Sequence, residues 1–261
     1  MHIPFYKYQG TGNDFIIVDN RAQLYAALTT TQIKHLCDRH FGIGADGFML
    51  LNTIDGYDFE MKYYNADGNE SSMCGNGGRC IVQFAYTHHI IHKKCRFLAI
   101  DGEHEAIIEN PNWIKLKMKD ISNVTKENND FILDTGSPHY VKYVQNIKDI
   151  NIVEQGRKIR YSKAFDKEGI NVNFVEIKSD NNIYVRTYER GVEDETLSCG
   201  TGVVASSIVS TLIIGFNKIN IETLGGNLVV ELNKLNDTQC KNIWLCGPAA
   251  MVFNGAIDIN L

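Results

Sequence analysis

The sequence predicts a mixed α/β protein built from two copies of one unit, and three observations carry that prediction. First, near-identical cysteine-glycine turns occur in opposite halves, Met73-Cys74-Gly75-Asn76-Gly77-Gly78 and Ser198-Cys199-Gly200-Thr201-Gly202. Second, each turn follows a period-2 strand pattern at nearly the same distance, 10 residues from Tyr64 to Cys74 and 11 from Tyr188 to Cys199. Third, Asn13 lies 61 residues before Cys74, and Pro138 lies 61 residues before Cys199. A match at three steps in the same order is duplication, with the halves related by a pseudo-twofold.

The elements follow from local patterning. Phe59, Met61 and Tyr63 alternate with polar neighbours, as do Ile183, Val185 and Thr187 with Tyr184, Arg186 and Tyr188, so both runs read as strands. The segment after Cys74 reads as a helix to about Ile90. The segment after Cys199 reads as one to Ile214, stopped by Gly215. That second segment is apolar or small nearly all round (Val203, Val204, Ala205, Ile208, Val209, Leu212, Ile213), which predicts a helix buried on every side and wrapped by strands. Further on, Ile114, Leu116 and Met118 alternate with lysines as a strand with one wet face, and its counterpart is Asn242-Ile243-Trp244-Leu245. The only two tryptophans, Trp113 and Trp244, fall in these matching strands. The polar stretch from Lys119 to Asp130 is the expected domain boundary. It divides the chain into residues 1–118 plus 249–261 and residues 119–248.

Composition removes several function classes. A formal charge of −5 with 22% charged residues gives no electrostatic footprint for nucleic acid or an anionic membrane. No apolar stretch is long enough to span a bilayer, and no signal peptide is evident, so a cytoplasmic protein is expected. Seven cysteines, an odd number, argue against a disulfide framework. Cys74, Cys80 and Cys95 with nearby histidines lack a C-x2-C pair, so no structural metal is expected.

A thiol at a helix N-terminus sits among backbone N–H groups without helical acceptors, at the positive end of the dipole. One such cysteine suggests a nucleophile. Two, at matching steps of a duplicated chain, suggest an acid/base pair: one thiolate removes a proton from a stereocentre and the other thiol returns one to the opposite face. The backbone N–H groups of Gly75, Asn76, Gly200 and Thr201 would then hold the substrate carboxylate. A lone Cys-Gly-x-Gly is ordinarily a buried cysteine before a tight turn. Recurrence at the same step of both halves is what raises this pair above that reading, and the other five cysteines are assigned to packing.

The run from Tyr64-Asn65-Ala66-Asp67-Gly68 through Cys74-Gly75-Asn76-Gly77-Gly78-Arg79-Cys80 resembles the first catalytic signature of diaminopimelate epimerases. Tyr188-Glu189-Arg190-Gly191 with Ser198-Cys199-Gly200-Thr201-Gly202 resembles the second. Gly10-Thr11-Gly12-Asn13-Asp14-Phe15, Asp38 through Gly47, Gly136-Ser137-Pro138-His139 and Gly247-Pro248-Ala249 fit the same family in order. The resemblance implies a cofactor-independent epimerase interconverting LL- and meso-2,6-diaminopimelate, on the route to lysine and peptidoglycan. It implies two domains, each a curved mixed sheet around a central helix, with the site between them, and a homodimer. By position, Cys74 and Cys199 would be the acid/base thiols, with His139 and Glu189 beside them setting their protonation. Asn13, Asn65, Asn171 and Arg190 would hold the substrate, Arg190 by its distal carboxylate. Two positions depart from the family pattern: Gly47 stands where glutamine is common, and Ser137 stands where asparagine precedes Pro-His.

Two other readings stay open on the sequence. A proline or hydroxyproline racemase of the same fold would share the cysteine turns, although Glu189-Arg190-Gly191 and Asn65-Ala66-Asp67-Gly68 point to a substrate with a second charged end. A non-catalytic redox or metal-binding protein would use the same thiols differently.

Overall fold

The structure is a computed structural model that describes residues 1–259. The chain forms two compact units: Met1–Leu116 with the C-terminal segment from Pro248, and Lys117–Gly247. Unit 1 contains β1 (His2–Gly10), β2 (Asn13–Asp19), α1 (Thr30–Cys37), β3 (Gly47–Asn52), β4 (Phe59–Asn65), α2 (Gly75–Thr87), β5 (Lys94–Ala99), β6 (Gly102–Asn110) and β7 (Trp113–Lys117). Unit 2 contains β8 (Thr125–Glu127), β9 (Asp130–Asp134), β10 (Pro138–Tyr143), α3 (Ile152–Arg160), β11 (Asn171–Ser179), β12 (Asn182–Glu189), β13 (Asp194–Thr196), α4 (Gly200–Ser210), β14 (Gly215–Thr223), β15 (Gly226–Lys234) and β16 (Cys240–Pro248). The chain then adds β17 (Ala250–Asp258), which pairs antiparallel with β1.

The same ladder of pairings occurs in both units. In unit 1, β2 runs parallel to β3, β3 antiparallel to β4, β4 parallel to β5, and β5–β6–β7 form an antiparallel meander. In unit 2, β10 runs parallel to β11, β11 antiparallel to β12 and β12 parallel to β14, followed by the β14–β15–β16 meander. The period-2 and cysteine-turn correspondences in the sequence are therefore a true duplication of topology. The mixed α/β class expected from the sequence is the observed one.

Each unit wraps strands around one buried helix. Gly75 to Ala85 of α2 are buried without interruption, against β1, β2, β6 and β17. In α4, Gly202 to Ile208 are all buried, among β9, β10, β11, β12, β14 and β15. Helix α4 carries two glycines and three valines, a poor set by intrinsic propensity, at roughly 1 kcal/mol per glycine. Full burial of Val203, Val204 and Ile208, worth about 1.5–3 kcal/mol each, outweighs that deficit, so packing rather than propensity holds this helix.

The end of α4 differs from the expectation. The helix stops at Ser210 instead of running to Ile214, and Leu212, expected inside, is 87% exposed. Thr211 leaves the helix in an extended conformation, its Oγ1 donating back to Ser207 O, while Lys234 Nζ donates to Thr211 O at 2.6 Å and occupies a terminal carbonyl. The helix after Cys74 likewise ends at Thr87, three residues before Ile90.

A second layer covers the outer face of each parallel pair. In unit 1, α1 begins with a capping box between Thr29 and Gln32 and buries Ile33 and Leu36 against Ile16, Val18, Phe48 and Leu50. All six residues of β3 are buried: α1 packs on one face, and on the other Met49 reaches Gly77 of α2, where an added Cβ would lie 3.5 Å from Met49 Cε. In unit 2, α3 is capped by Asn151 and packs on Val172, Phe174 and Tyr188. Alternation then turns Asn171, Asn173 and Val175 of β11 to the opposite side, where α4 lies.

That placement puts polar groups inside unit 2. Asn173 Nδ2 donates to His139 Nδ1 and to Tyr140 O, each at 3.1 Å, and its Oδ1 accepts from Thr187 Oγ1 at 2.9 Å. Asn173 and His139 are fully buried. A Cβ at Gly202 would lie only 2.2 Å from Asn173 Oδ1, so the glycine of the second cysteine turn is what lets this amide reach α4. Gly202→Ala is therefore expected to destabilise the protein by about 1–3 kcal/mol in urea unfolding, because the triply bonded amide cannot yield. Gly77→Ala, whose added Cβ meets nothing nearer than 3.4 Å, should cost far less.

Burial, reinforced by the Arg190 guanidinium, holds the His139 imidazole down to about 3, so it is neutral in the folded chain. The unfolded chain takes up this proton near pH 6.5 and the folded chain does not. The stabilisation is thus complete above 6.5 and is lost at about 1.4 kcal/mol per pH unit as pH falls toward 3. Between pH 7 and 5 the wild-type protein should lose about 2 kcal/mol more than His139→Gln, measured by urea titration at the two pH values.

Candidate active site

Cys74 and Cys199 occupy equivalent positions, each the N-cap residue of its unit's buried helix. Both have extended backbone dihedrals, and neither side chain caps its helix. Their carbonyls accept the first helical bonds, from Gly78 N at 2.7 Å and from Val203 N at 2.9 Å. The backbone N–H groups of Gly75, Asn76, Gly200 and Thr201 form the first turns of these two helices, at the positive end of each helix dipole. Four of the other cysteines are held as thiols. Burial pushes Cys37 and Cys95 up to about 12, and raises Cys80 and Cys240 as well.

In unit 1 the thiol sits beside a hairpin. Thr11 and Gly12, both with positive φ, form the two-residue turn that a type I′ hairpin needs, and this turn delivers Asn13 to the cysteine. Cys74 Sγ donates to Asn13 Oδ1 at 3.6 Å, and Asn76 Nδ2 donates to the same oxygen at 3.3 Å. Asn13 Nδ2 in turn donates to Asp46 Oδ2 at 2.7 Å. Arg79, fully buried one turn into α2, donates from Nη2 to Asn76 Oδ1 at 2.9 Å and to Thr11 Oγ1 at 3.4 Å, and from Nη1 to Gly75 O at 3.2 Å. Asp14 anchors the base of the hairpin. Burial alone would raise its carboxyl, but hydrogen bonds from Arg39 and Lys7 win and hold it near 2. Asn65 is apart from this cluster. It is exposed at the C-terminal end of β4, where its carbonyl accepts from Gly68 N.

Gly47 is enclosed. A Cβ there would lie 2.5 Å from Tyr63 Cε2, so Tyr63 fills the volume that a longer side chain would need.

In unit 2, Cys199 is 8% exposed, and its Sγ lies 3.5 Å from Thr201 Oγ1. Thr135 Oγ1 donates to Thr201 O at 2.9 Å and braces the turn. His139 pairs in register with Asn171 across β10 and β11. Because Asn173 Nδ2 donates to its Nδ1, the imidazole proton is on Nε2, which is buried without a hydrogen-bond partner among the described residues. Asn171 has its amide bonded internally: Nδ2 donates to Ser137 Oγ and Pro138 O, and Oδ1 accepts from Arg190 N. Its geometry is that of a brace for Ser137 and Arg190. Glu189 Oε2 accepts from Thr196 Oγ1 at 3.0 Å. Arg190 is exposed and gives one of its five donors to Glu168 O.

Sequence reasoning missed Asn173 and Asp46. Asn173 had a signal, since it lies two residues from Asn171 and so on the same strand face. Asp46 had none beyond its motif, because its contact with Asn13 depends on the β2–β3 pairing.

A model of the family described as diaminopimelate epimerase matches residues 5–123 and 131–252. A relative named diaminopimelate epimerase, from Flavobacterium psychrophilum, is 50% identical over 257 residues, covering 98% of this chain and 100% of the relative. Among solved structures, a Bacillus anthracis phenazine biosynthesis protein of the PhzF family aligns with TM-score 0.75 at 15% identity, over 99% of this chain and 100% of its own. A probable proline racemase from Agrobacterium radiobacter aligns with TM-score 0.69 at 14% identity, over 99% and 93%. Identities this low speak to the fold alone. Matched along both units by the family model and along nearly its whole length by a relative of half identity, the chain belongs to the diaminopimelate epimerase family and is an isomerase.

Proposed function

We propose that this protein interconverts LL- and meso-2,6-diaminopimelate by a two-base reaction at the α-carbon, with Cys74 and Cys199 as the two acid/base groups and without a cofactor. The observation that carries the reading is the recurrence of a cysteine N-cap on the buried helix of each duplicated unit. One thiolate takes the α-proton and the other thiol delivers a proton to the opposite face, so the configuration inverts and each sulfur ends in the other's starting state. First-turn N–H groups of Gly75, Asn76, Gly200 and Thr201 hold the α-carboxylate and stabilise charge that builds on it as the proton leaves.

Arg190, exposed and with donors to spare, is the group suited to the distal carboxylate, and Asn171 and Glu189 hold its strand end in place. Asn65 contacts substrate from the C-terminal end of β4. His139 is neutral at physiological pH, so its role is to donate through Nε2 rather than to exchange protons. The two compact units serve as the two domains, and the protein acts in the cytoplasm in lysine and peptidoglycan precursor synthesis. We also propose a homodimer, which the apolar exposure of Met251, Val252 and Phe253 on β17 supports. A single species of twice the chain mass in analytical ultracentrifugation is the expected result.

The test is proton NMR of LL-diaminopimelate with the reduced protein and no added cofactor. The meso isomer should appear, and proline should be inert; turnover of proline instead would favour the racemase reading. Cys74→Ala and Cys199→Ala should each lower kcat by at least about 10³-fold with an unchanged circular dichroism spectrum, since losing either base blocks inversion.

A further inference from the structure

The unit 1 site contains a chain of amides whose direction is fixed at both ends. Arg79 can only donate, so the Asn76 atom facing its Nη2 at 2.9 Å is the oxygen, and Asn76 Nδ2 faces Asn13. Asp46 is a carboxylate that can only accept, so the Asn13 atom 2.7 Å from it is the nitrogen. Both ends give one answer: Asn13 Oδ1 faces Cys74 Sγ, at 3.6 Å. Asp46 is itself fixed, with Oδ1 accepting from Arg39 Nη2 at 2.7 Å and Oδ2 from Asp14 N at 3.2 Å.

An amide oxygen beside sulfur accepts from a thiol and repels a thiolate. It therefore opposes the helix N-terminus, which favours thiolate. We infer that Asp46 is a positioning residue that aims the Asn13 carbonyl at Cys74 and thereby holds this sulfur as the protonated, proton-donating partner in the free protein. The inference rests on Cys74 being one of the two acid/base groups. The ionisable groups that neighbouring elements bring up to this region are Arg79 and Cys80 on α2, Asp101 with His104 at the β5–β6 turn, and Asp14 with Arg39 beside Asp46 itself. Lys7 on β1 pairs with Asp14 at 2.7 Å, and of all these groups Arg79 bears on the Asn13 amide through Asn76, in the same sense as Asp46.

The test measures the pH dependence of iodoacetamide alkylation at Cys74 in the full-length protein, with the adduct identified by peptide mass spectrometry. Asp46→Asn and Asp46→Ala each remove the stronger of the two anchors, the 2.7 Å bond, leaving only the 3.3 Å bond from Asn76, so the Asn13 amide turns its nitrogen to sulfur in a larger share of molecules. Each should lower the apparent thiol pKa by about one unit, seen as a several-fold faster alkylation at pH 7. In an Asn13→Ala background, Asp46→Asn should leave the pKa where it is, because the effect runs through Asn13. No shift in either single variant overturns the inference, even if turnover falls, since that marks a purely structural role. An equal shift in both backgrounds overturns it too, since that is the carboxylate acting through space. The readout is alkylation rather than turnover. A wild-type protein that fails to epimerise diaminopimelate would count against the proposed function and leave this result standing.

Discussion

Each unit is built around one buried helix whose N-cap is a cysteine that makes no side-chain cap hydrogen bond, and the rest of the unit answers to that helix. The helices that carry these turns are buried almost entirely, so strands must surround them, and polar residues of those strands reach the turn only where glycine permits. Gly202 shows the constraint most sharply, since a single added carbon would collide with the Asn173 amide that fixes the His139 tautomer. Gly78 in unit 1 makes room for apolar neighbours instead, since a Cβ there would lie 2.8 Å from Met73 Sδ and 2.9 Å from Leu116 Cδ2. The glycines after each cysteine thus serve the surrounding strands as much as the turn itself.

Under the proposed two-base reaction, duplication of topology has a direct chemical use. Inversion at a carbon needs an acid and a base that exchange roles when the reaction reverses, and two copies of one unit supply two chemically equivalent groups. The copies then diverge around the sulfur. In unit 1 the neighbour is an amide oxygen backed by Asp46, whereas in unit 2 it is a threonine hydroxyl and a neutral, buried histidine lies in the same unit.

Much of this was legible in the sequence. The cysteine turns, the 61-residue spacing and the paired tryptophan strands are local signals, and they located both central helices and the repeated ladder. The run Thr211 to Ile214 misled because apolar periodicity cannot show that Lys234, from a distant strand, bonds the Thr211 carbonyl where the helix ends. For Asn171, what the sequence did not show is that its side chain bonds to Ser137, Pro138 and Arg190, contacts set by the β10–β11 register. Asp46 was invisible for the same reason: its partner Asn13 lies 33 residues away, across a parallel strand pair. Direction of an amide is a network property, and no single residue announces it.

The central claim is that two different sulfurs take and give the proton. It is tested most directly by running LL-diaminopimelate in deuterium oxide to a few per cent conversion and measuring isotope at the α-carbon of both isomers. A two-base enzyme gives meso product carrying deuterium in essentially every molecule, while recovered LL substrate carries almost none. Product that retains the substrate's own proton, or substrate that exchanges before it inverts, would contradict the two-base account.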